Sequence, residues 1–333
     1  MDGYNIAIVG ATGLVGQAMI SLLELGELPV KSLKLLASER SVGKEFDFKG
    51  RKCVVEETTD SSFEGIDIAF FSAGGKISKR FAEVAVAAGS VVIDNTSAFR
   101  MDEDIPLIVP EVNGHVLSRD SKLIANPNCS TIQLVVALKA LVDEYGIEDV
   151  NVATYQAISG AGAQAVSEYE RQLEEGIDGD VKPFFNNVIP QIDVFDDSGY
   201  TFEELKMVNE TRKILDDDSL KVNATCVRVP VRNCHSVAVS VKCKSDVSTN
   251  SVVEVFAASD VVVGNGREED VYPMPVDVDG RRAVFVGRVR RDLFDSRVVH
   301  FFVVADNLLK GAALNSVQIA CYMHGKGLVE SGG

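Results

Sequence analysis

Hydrophobic residues fall into two rhythms along this chain. Near the start, short and almost continuous apolar runs alternate with stretches whose apolar positions recur every three or four residues. Asn5–Val9 reads as a buried strand, Gly10 to Gly16 as a tight turn, and the residues up to about Leu25 as an apolar helix. Lys34–Ser38 predicts a second strand and Ile66–Ser72 a third, followed by the turn-forming pair Gly74-Gly75. A helix over Ile77–Ala88 then leads to a strand at Val91–Asp94. Strands alternating with helices in this way predict a parallel sheet with helices on its faces. Thr131–Tyr145 carries Leu134, Val135, Leu138, Leu141 and Val142 at helical spacing. From about Asn151 the rhythm shortens. Val227, Val229 and Val231 alternate with other residues, as do Val237, Val239 and Val241, and β-rich segments follow at Val252–Val263, Ala283–Val289 and Val298–Val304. Gln164–Glu175 predicts a polar helix, and Asn307–His324 a helix with Leu309, Ala312, Ala313, Val317 and Ala320 on one stripe. Asp216-Asp217-Asp218 reads as a solvated turn or helix end. This second part predicts an α+β domain with a largely antiparallel sheet.

Composition narrows the choice of partners. A length of 333 residues suits two domains, and 46% hydrophobic with 25% charged residues is an ordinary globular balance. The formal charge of −16 repels nucleic acid and anionic membrane, so any anionic substrate must be held by a local group of cations. No apolar stretch is long enough to span a bilayer, and the N-terminus runs directly into a strand, which predicts a cytoplasmic protein. The six cysteines form no C-x-x-C pair and the four histidines no H-E-x-x-H, so neither a metal site nor, in a reducing compartment, a disulfide framework is expected.

Two local patterns carry candidate chemistry. Gly10, Gly13 and Gly16 lie between a strand and a helix, where small residues let backbone approach a pyrophosphate that the helix N-terminus attracts. The alternative is a tight turn without a ligand. At the end of the second strand, Ser38 and Arg40 flank the position where an acid would hold a ribose 2′-hydroxyl. Arg40 suits a 2′-phosphate and favours NADP, whereas Glu39, if turned inward, would tolerate NAD; Arg40 could also be an exposed loop cation. The second pattern is Asn126-Pro127-Asn128-Cys129-Ser130, which sets a thiol at the start of a helix. Unsatisfied N–H groups and the positive end of the macrodipole favour thiolate there, although a free cysteine can equally be a small buried hydrophobe. A reactive thiol beside a nicotinamide suggests addition to an aldehyde, loss of hydride and release of the resulting thioester, with a general base. His235 is the candidate base, because Arg228 and His235 are expected at the facing ends of two alternating strands, which would set an anion clamp beside a base. His115, His300 and His324 fit packing or surface roles better, and Cys234 is a rival nucleophile without a helix N-terminus.

These motifs, in order, closely resemble the aspartate-semialdehyde dehydrogenase family over essentially the whole chain. The resemblance rests on Gly10–Gly16, Ser97-Ala98-Phe99-Arg100, Asn126–Ser130, Gln156–Gly162, Ile189–Ile192, Glu203–Lys206, Glu210–Ile214 and Arg228–His235. It implies Cys129 as nucleophile, His235 as acid/base and Gln156 as the residue orienting the acyl intermediate. Arg228 would pair with the substrate α-carboxylate and Glu203 with its α-ammonium. Arg100, Asn128 and Lys206 would bind phosphate, and Gly10, Thr12, Gly13, Val15, Ser38, Arg40, Ser72, Gly74, Gly162 and Asn315 would line an NADP site. From the residues alone, Glu203 and Lys206 are an i, i+3 helix pair and Arg100 an ordinary loop residue. The implied fold is α/β, a Rossmann domain of residues 1–128 plus 307–333 with an inserted α+β catalytic and dimerisation domain of residues 129–306. The implied reaction is NADP-dependent reductive dephosphorylation of L-4-aspartyl phosphate to L-aspartate 4-semialdehyde, feeding lysine and diaminopimelate, methionine, threonine and isoleucine synthesis. The implied assembly is a homodimer, extendable to a homotetramer. Sister acyl-phosphate or acyl-CoA reductases, such as N-acetyl-γ-glutamyl-phosphate reductase, are the nearest alternative; glyceraldehyde-phosphate dehydrogenase should show a different cysteine motif. A cofactor-binding protein without catalysis is the alternative from another class.

Overall fold

A computed structural model describes residues 3–178, 182–264 and 271–330. The chain separates into two units, Met1–Pro127 with Ala312–Gly333, and Asn128–Gly311. The closing residues 331–333 of the expected 307–333 segment lie outside the described residues.

The first unit is built on β1 (Tyr4–Val9), β2 (Val30–Ala37), β3 (Glu45–Phe48), β4 (Arg51–Glu57), β5 (Ile68–Phe71), β6 (Val91–Asp94) and β7 (Leu123–Ala125). The sheet order is β3-β4-β2-β1-β5-β6-β7. All neighbours are parallel except the β3–β4 hairpin. Ile6 to Val9 and Ile68 to Phe71 are buried along their length, which matches strands covered on both faces. Helices Leu14–Glu24 and Gly75–Ala87 supply part of that cover, and Leu314–Gly325 returns from the far end of the chain to join this unit. The predicted elements appear within a few residues of their expected limits, as an α/β fold of Rossmann type.

The second unit holds β8 (Ile147–Gln156), β9 (Lys221–Arg228), β10 (His235–Cys243), β11 (Val261–Gly264), β12 (Val284–Arg291) and β13 (Val298–Ala305), in the order β11-β12-β13-β10-β8-β9. The three central pairings are antiparallel and the two outer ones parallel. In β10, Val237, Val239, Val241 and Cys243 are buried on one face, which packs against the helix Cys129–Tyr145. Two expectations need correction. The β-rich reading of Val252–Val263 holds only for its end. Thr249–Ala257 is a helix, because Ser248 and Ser251 form a capping box and Val252 and Phe256, one turn apart, are buried. The alternation expected to run through Val229 and Val231 stops at Arg228, where β9 ends, and β8 lies between β9 and β10. Asp216 ends the helix Phe202–Leu215 in the left-handed conformation.

Candidate active site

The helix Cys129–Tyr145 begins at the candidate nucleophile itself. Asn128 is its N-cap, with Oδ1 accepting from the Ser130 N–H at 2.9 Å. Beneath that turn, Glu210 Oε2 accepts the Asn128 N–H at 2.6 Å, a short and buried bond. Gly311 passes so close that a Cβ added there would sit 3.0 Å from the Cβ of Cys129.

Three strand ends face this helix start. Gln156 closes β8 and Arg228 closes β9 in direct register, and His235 opens β10. His235 Nε2 lies 3.2 Å from Cys129 Sγ, and its Nδ1 accepts the Ala157 N–H at 2.9 Å. Burial, and then the Arg228 guanidinium, hold its imidazole well below the ordinary histidine value, so the ring is neutral at pH 7. Arg228 donates from Nη1 to the Ala157 carbonyl at 2.6 Å, and burial lowers its own value despite nearby Cys129 and Glu203. A Cβ on Gly160 would lie 2.9 Å from His235 Cε1 and 3.1 Å from Arg228 Nη1, so bare backbone is what lets the turn close over both.

Glu203 gathers the remaining polar groups. Its Oε1 accepts from Asn128 Nδ2 at 2.9 Å and Gln156 Nε2 at 3.1 Å, and its Oε2 pairs with Lys206 Nζ at 3.2 Å. Burial pushes this carboxyl upward, but Lys206 and the two amides outweigh burial and hold it below the usual carboxylate range. Lys206 forms the expected i, i+3 pair and a second bond to Asp193 at 2.9 Å. Burial lowers its ammonium value, and the two carboxylates more than restore it. Gln156 Oε1 accepts from Thr154 Oγ1 at 2.9 Å, which fixes the direction of its amide. Cys234, the rival nucleophile, is buried at φ +72° with its thiol pushed up by burial, so it makes a poor thiolate. Cys234, Asp279 and Asp306 cluster closely enough to suggest a metal. The Asp306 oxygens, however, are taken by the N–H groups of Gly280, Leu308 and Leu309, and Asn233 bonds Asp279.

In the first unit the glycine turn is shaped by close approach. Gly10, at φ +90°, could carry no Cβ without meeting the Ser72 carbonyl at 2.8 Å, and a Cβ on Gly16 would lie 2.3 Å from the Gly10 oxygen. Gly13 is the N-cap of Leu14–Glu24 without a side-chain cap, leaving N–H groups for a phosphate. Thr12 and Val15 flank that turn; Thr12 Oγ1 is 3.4 Å from Ser41 Oγ, and Ser38 and Arg40 are exposed at and after the end of β2. Ser72 follows β5, and Gly74, at φ +93°, caps the next helix. This cradle fits a dinucleotide. Arg100 is buried, giving Nε to the Asn126 carbonyl and Nη2 to the Asn95 carbonyl. Asn315 donates to the Ile108 carbonyl and to Asn126 Oδ1, so its amide hydrogens brace neighbouring backbone and side chains. Gly162, in the second unit, caps the helix Ala163–Glu175 at φ +92°.

Residues 5–119 match the family model described as semialdehyde dehydrogenase, NAD binding domain, and residues 138–310 match semialdehyde dehydrogenase, dimerisation domain. The aspartate-semialdehyde dehydrogenase of Bacillus subtilis (strain 168) is 48% identical over 334 residues, covering 96% of both chains. The chain belongs to the aspartate-semialdehyde dehydrogenase family. It is therefore an oxidoreductase of that family. Among solved structures, aspartate semialdehyde dehydrogenase II from Vibrio cholerae, described as complexed with ASA, superposes with a TM-score of 0.91 at 45% identity, over 97% of this chain and 99% of that one. An aspartate semialdehyde dehydrogenase with NADP from Candida albicans gives 0.78 at 26% identity, over 98% and 99%. For this member of the aspartate-semialdehyde dehydrogenase family, sequence reasoning assigned no role to four supporting residues: Thr154, Ala157, Gly160 and Glu210. Glu210 had a readable signal. Glu203, Met207, Glu210 and Ile214 repeat at helical spacing, so an acid shares the buried stripe with apolar residues.

Proposed function

We propose that this protein reversibly converts L-4-aspartyl phosphate to L-aspartate 4-semialdehyde with NADP as the redox partner. The observation that carries this reading is Cys129 Sγ at a helix start, 3.2 Å from the Nε2 of a buried neutral histidine. In the reductive direction Cys129 attacks the acyl carbon, forming the S–C bond as phosphate leaves, and His235 serves as acid/base at Nε2. Bound NADPH supplies the hydride that turns the thioester into the aldehyde. Gln156 orients the acyl group, its amide already aimed by Thr154. Arg228 clamps the α-carboxylate, for which its planar fork is suited, and Glu203, held ionised, receives the α-ammonium. Arg100, Asn128 and Lys206 bind the phosphate, with Lys206 drawn from its pair with Asp193. Gly10, Thr12, Gly13, Val15, Ser72, Gly74, Gly162 and Asn315 line the cofactor site, and Ser38 with Arg40 selects the 2′-phosphate.

The open sheet face of the second unit displays Tyr155, Ala238, Ser240 and Phe302, and we infer that a second copy of the chain covers it. A reducing, cytoplasmic setting suits a chain with six cysteines and no C-x-x-C pair, and the product would feed lysine, diaminopimelate, methionine, threonine and isoleucine synthesis. Among the described residues no helix is long and apolar enough to cross a membrane. The test is NADPH formation from L-aspartate 4-semialdehyde with and without inorganic phosphate, beside a Cys129→Ser control. Phosphate-dependent formation that vanishes in the variant supports the reading. Turnover only with an N-acetylated substrate or with CoA would assign the chain to a sister reductase, although the ionised Glu203 speaks for a free ammonium.

A further inference from the structure

Ala157 joins the end of β8 to the short turn Ile158–Ala161, and both of its backbone polar groups face candidate catalytic residues. Its N–H donates to His235 Nδ1 at 2.9 Å, and its carbonyl accepts from Arg228 Nη1 at 2.6 Å. A ring nitrogen that accepts an N–H must present its lone pair, so the single proton of the neutral imidazole resides on Nε2. That nitrogen is the one 3.2 Å from Cys129 Sγ. A proton on Nδ1 would set two N–H groups head to head at a ring that is 0% exposed. The titratable groups facing the ring are Cys129 from the helix start and Arg228 from the end of β9. The turn contributes Gly160, and β13 sets Ala305 opposite the histidine. Where a Ser-His-Asp triad places a carboxylate to receive the Nδ1 proton, this chain places a donor.

We propose that the Ala157 peptide groups are positioning elements of the reaction. The N–H holds His235 as the neutral Nε2–H tautomer and the carbonyl aims Arg228. The histidine therefore meets sulfur and substrate oxygen as a hydrogen-bond donor, not as half of a thiolate–imidazolium pair. The catalytic part of this rests on the proposed role of Cys129; the state of the ring does not. The electron accounting agrees with such a role. Attack by thiolate forms S–C and breaks the C–O bond to phosphate, which departs with the electron pair. Hydride from the reduced dinucleotide, itself oxidised, leaves a pair on the former carbonyl oxygen, and collapse breaks S–C and returns a pair to sulfur. Nε2–H stabilises charge on sulfur, lends its proton to the oxyanion and recovers it on collapse, acting as acid and then base with no net change, while the proton taken up by departing phosphate comes from solvent.

The test is ¹⁵N NMR of full-length protein labelled at its histidines, with the His235 signals identified by their loss in His235→Gln. The expected signature is an unprotonated, pyridine-type Nδ1 and a protonated, pyrrole-type Nε2 that persist from about pH 8.5 to about pH 5.5. The same signature is expected in Cys129→Ala, because the Ala157 contact lies on the opposite side of the ring. A protonated Nδ1, an imidazolium midpoint near the ordinary histidine value, or reversion to ordinary titration in Cys129→Ala would overturn the proposal. The expected signature in a protein that forms no NADPH would dismiss the proposed function while upholding the ring assignment.

Discussion

Replacing Gly160 by alanine adds a single methyl group at the most crowded point of the candidate active site. The new carbon would stand 2.9 Å from His235 Cε1, 3.0 Å from Nε2 and 3.1 Å from Arg228 Nη1, where ordinary contact begins near 3.4 Å. Something must yield by about 0.5 Å. The ring is held by the Ala157 N–H and the guanidinium by the Ala157 carbonyl, so neither retreats without stretching a buried hydrogen bond. Overpacking of this kind costs about 1–3 kcal/mol of stability. The larger effect is on the reaction. A displacement of about 1 Å can cost roughly 100-fold in rate, so half of that predicts about a tenfold loss in kcat/KM, or about 1.4 kcal/mol of transition-state stabilisation. Steady-state NADPH formation from the aldehyde and phosphate, with kcat and KM separated, measures the loss, and a denaturant titration measures the stability. A variant within about twofold of wild type on kcat/KM would show that the turn moves and the ring does not, and would refute the reasoning.

Four further outcomes are expected. Arg40→Ala should weaken NADP far more than NAD in paired binding titrations, and equal losses would exclude a contact with the 2′-phosphate. Arg228→Lys should lower kcat/KM by tenfold or more, since a buried hydrogen bond to a charged group contributes about 1.5–3 kcal/mol; near wild-type kinetics would remove Arg228 from the carboxylate contact. Glu210→Ala should leave the buried Asn128 N–H without this acceptor and cost about 1–3 kcal/mol, with Glu210→Gln costing less because a neutral acceptor remains; a denaturation midpoint equal to wild type in both would discount the brace. Stability should also fall with acid through His235. Its folded value lies well below the unfolded value of about 6.5, so under acid the unfolded chain binds a proton that the folded chain refuses. The loss begins as pH drops through the unfolded value, approaches about 1.4 kcal/mol per pH unit, and ends at the folded value. His235→Gln should flatten that part of the pH–stability curve, and parallel curves would contradict the neutral buried ring.

Much of the architecture was legible because burial on both faces writes an unbroken apolar strand, as at Asn5–Val9 and Val91–Asp94, and the glycine turn stands at a strand–helix junction. The β3–β4 hairpin stayed hidden because Glu45, Asp47, Arg51, Lys52, Glu56 and Glu57 leave too few apolar positions to set a rhythm. β8 stayed hidden because its inward positions include Thr154 and Gln156, which are spent on the site and not on the core. At the site itself, the types of residue suggested a candidate nucleophile and a candidate base, and the structure sets the two side by side. The Ala157 contact could not be read, because it uses backbone atoms that every residue carries. Val252–Ala257 shows the opposite failure, in which β-branched side chains spelled strand while a serine capping box and buried Phe256 imposed a helix.

The thinness of the second sheet has a consequence for how chemistry and assembly can be tuned. Side chains alternate along a strand, so Tyr155 and Gln156 look out of opposite faces although one peptide bond joins them. Ser236 pairs with Tyr155 across the ladder, and its neighbour His235 emerges on the side of Gln156. The open face and the face turned to the thiol are therefore two surfaces of one layer of backbone. A substitution on either surface is transmitted through covalent geometry rather than through a chain of contacts, so neither can be redesigned in isolation.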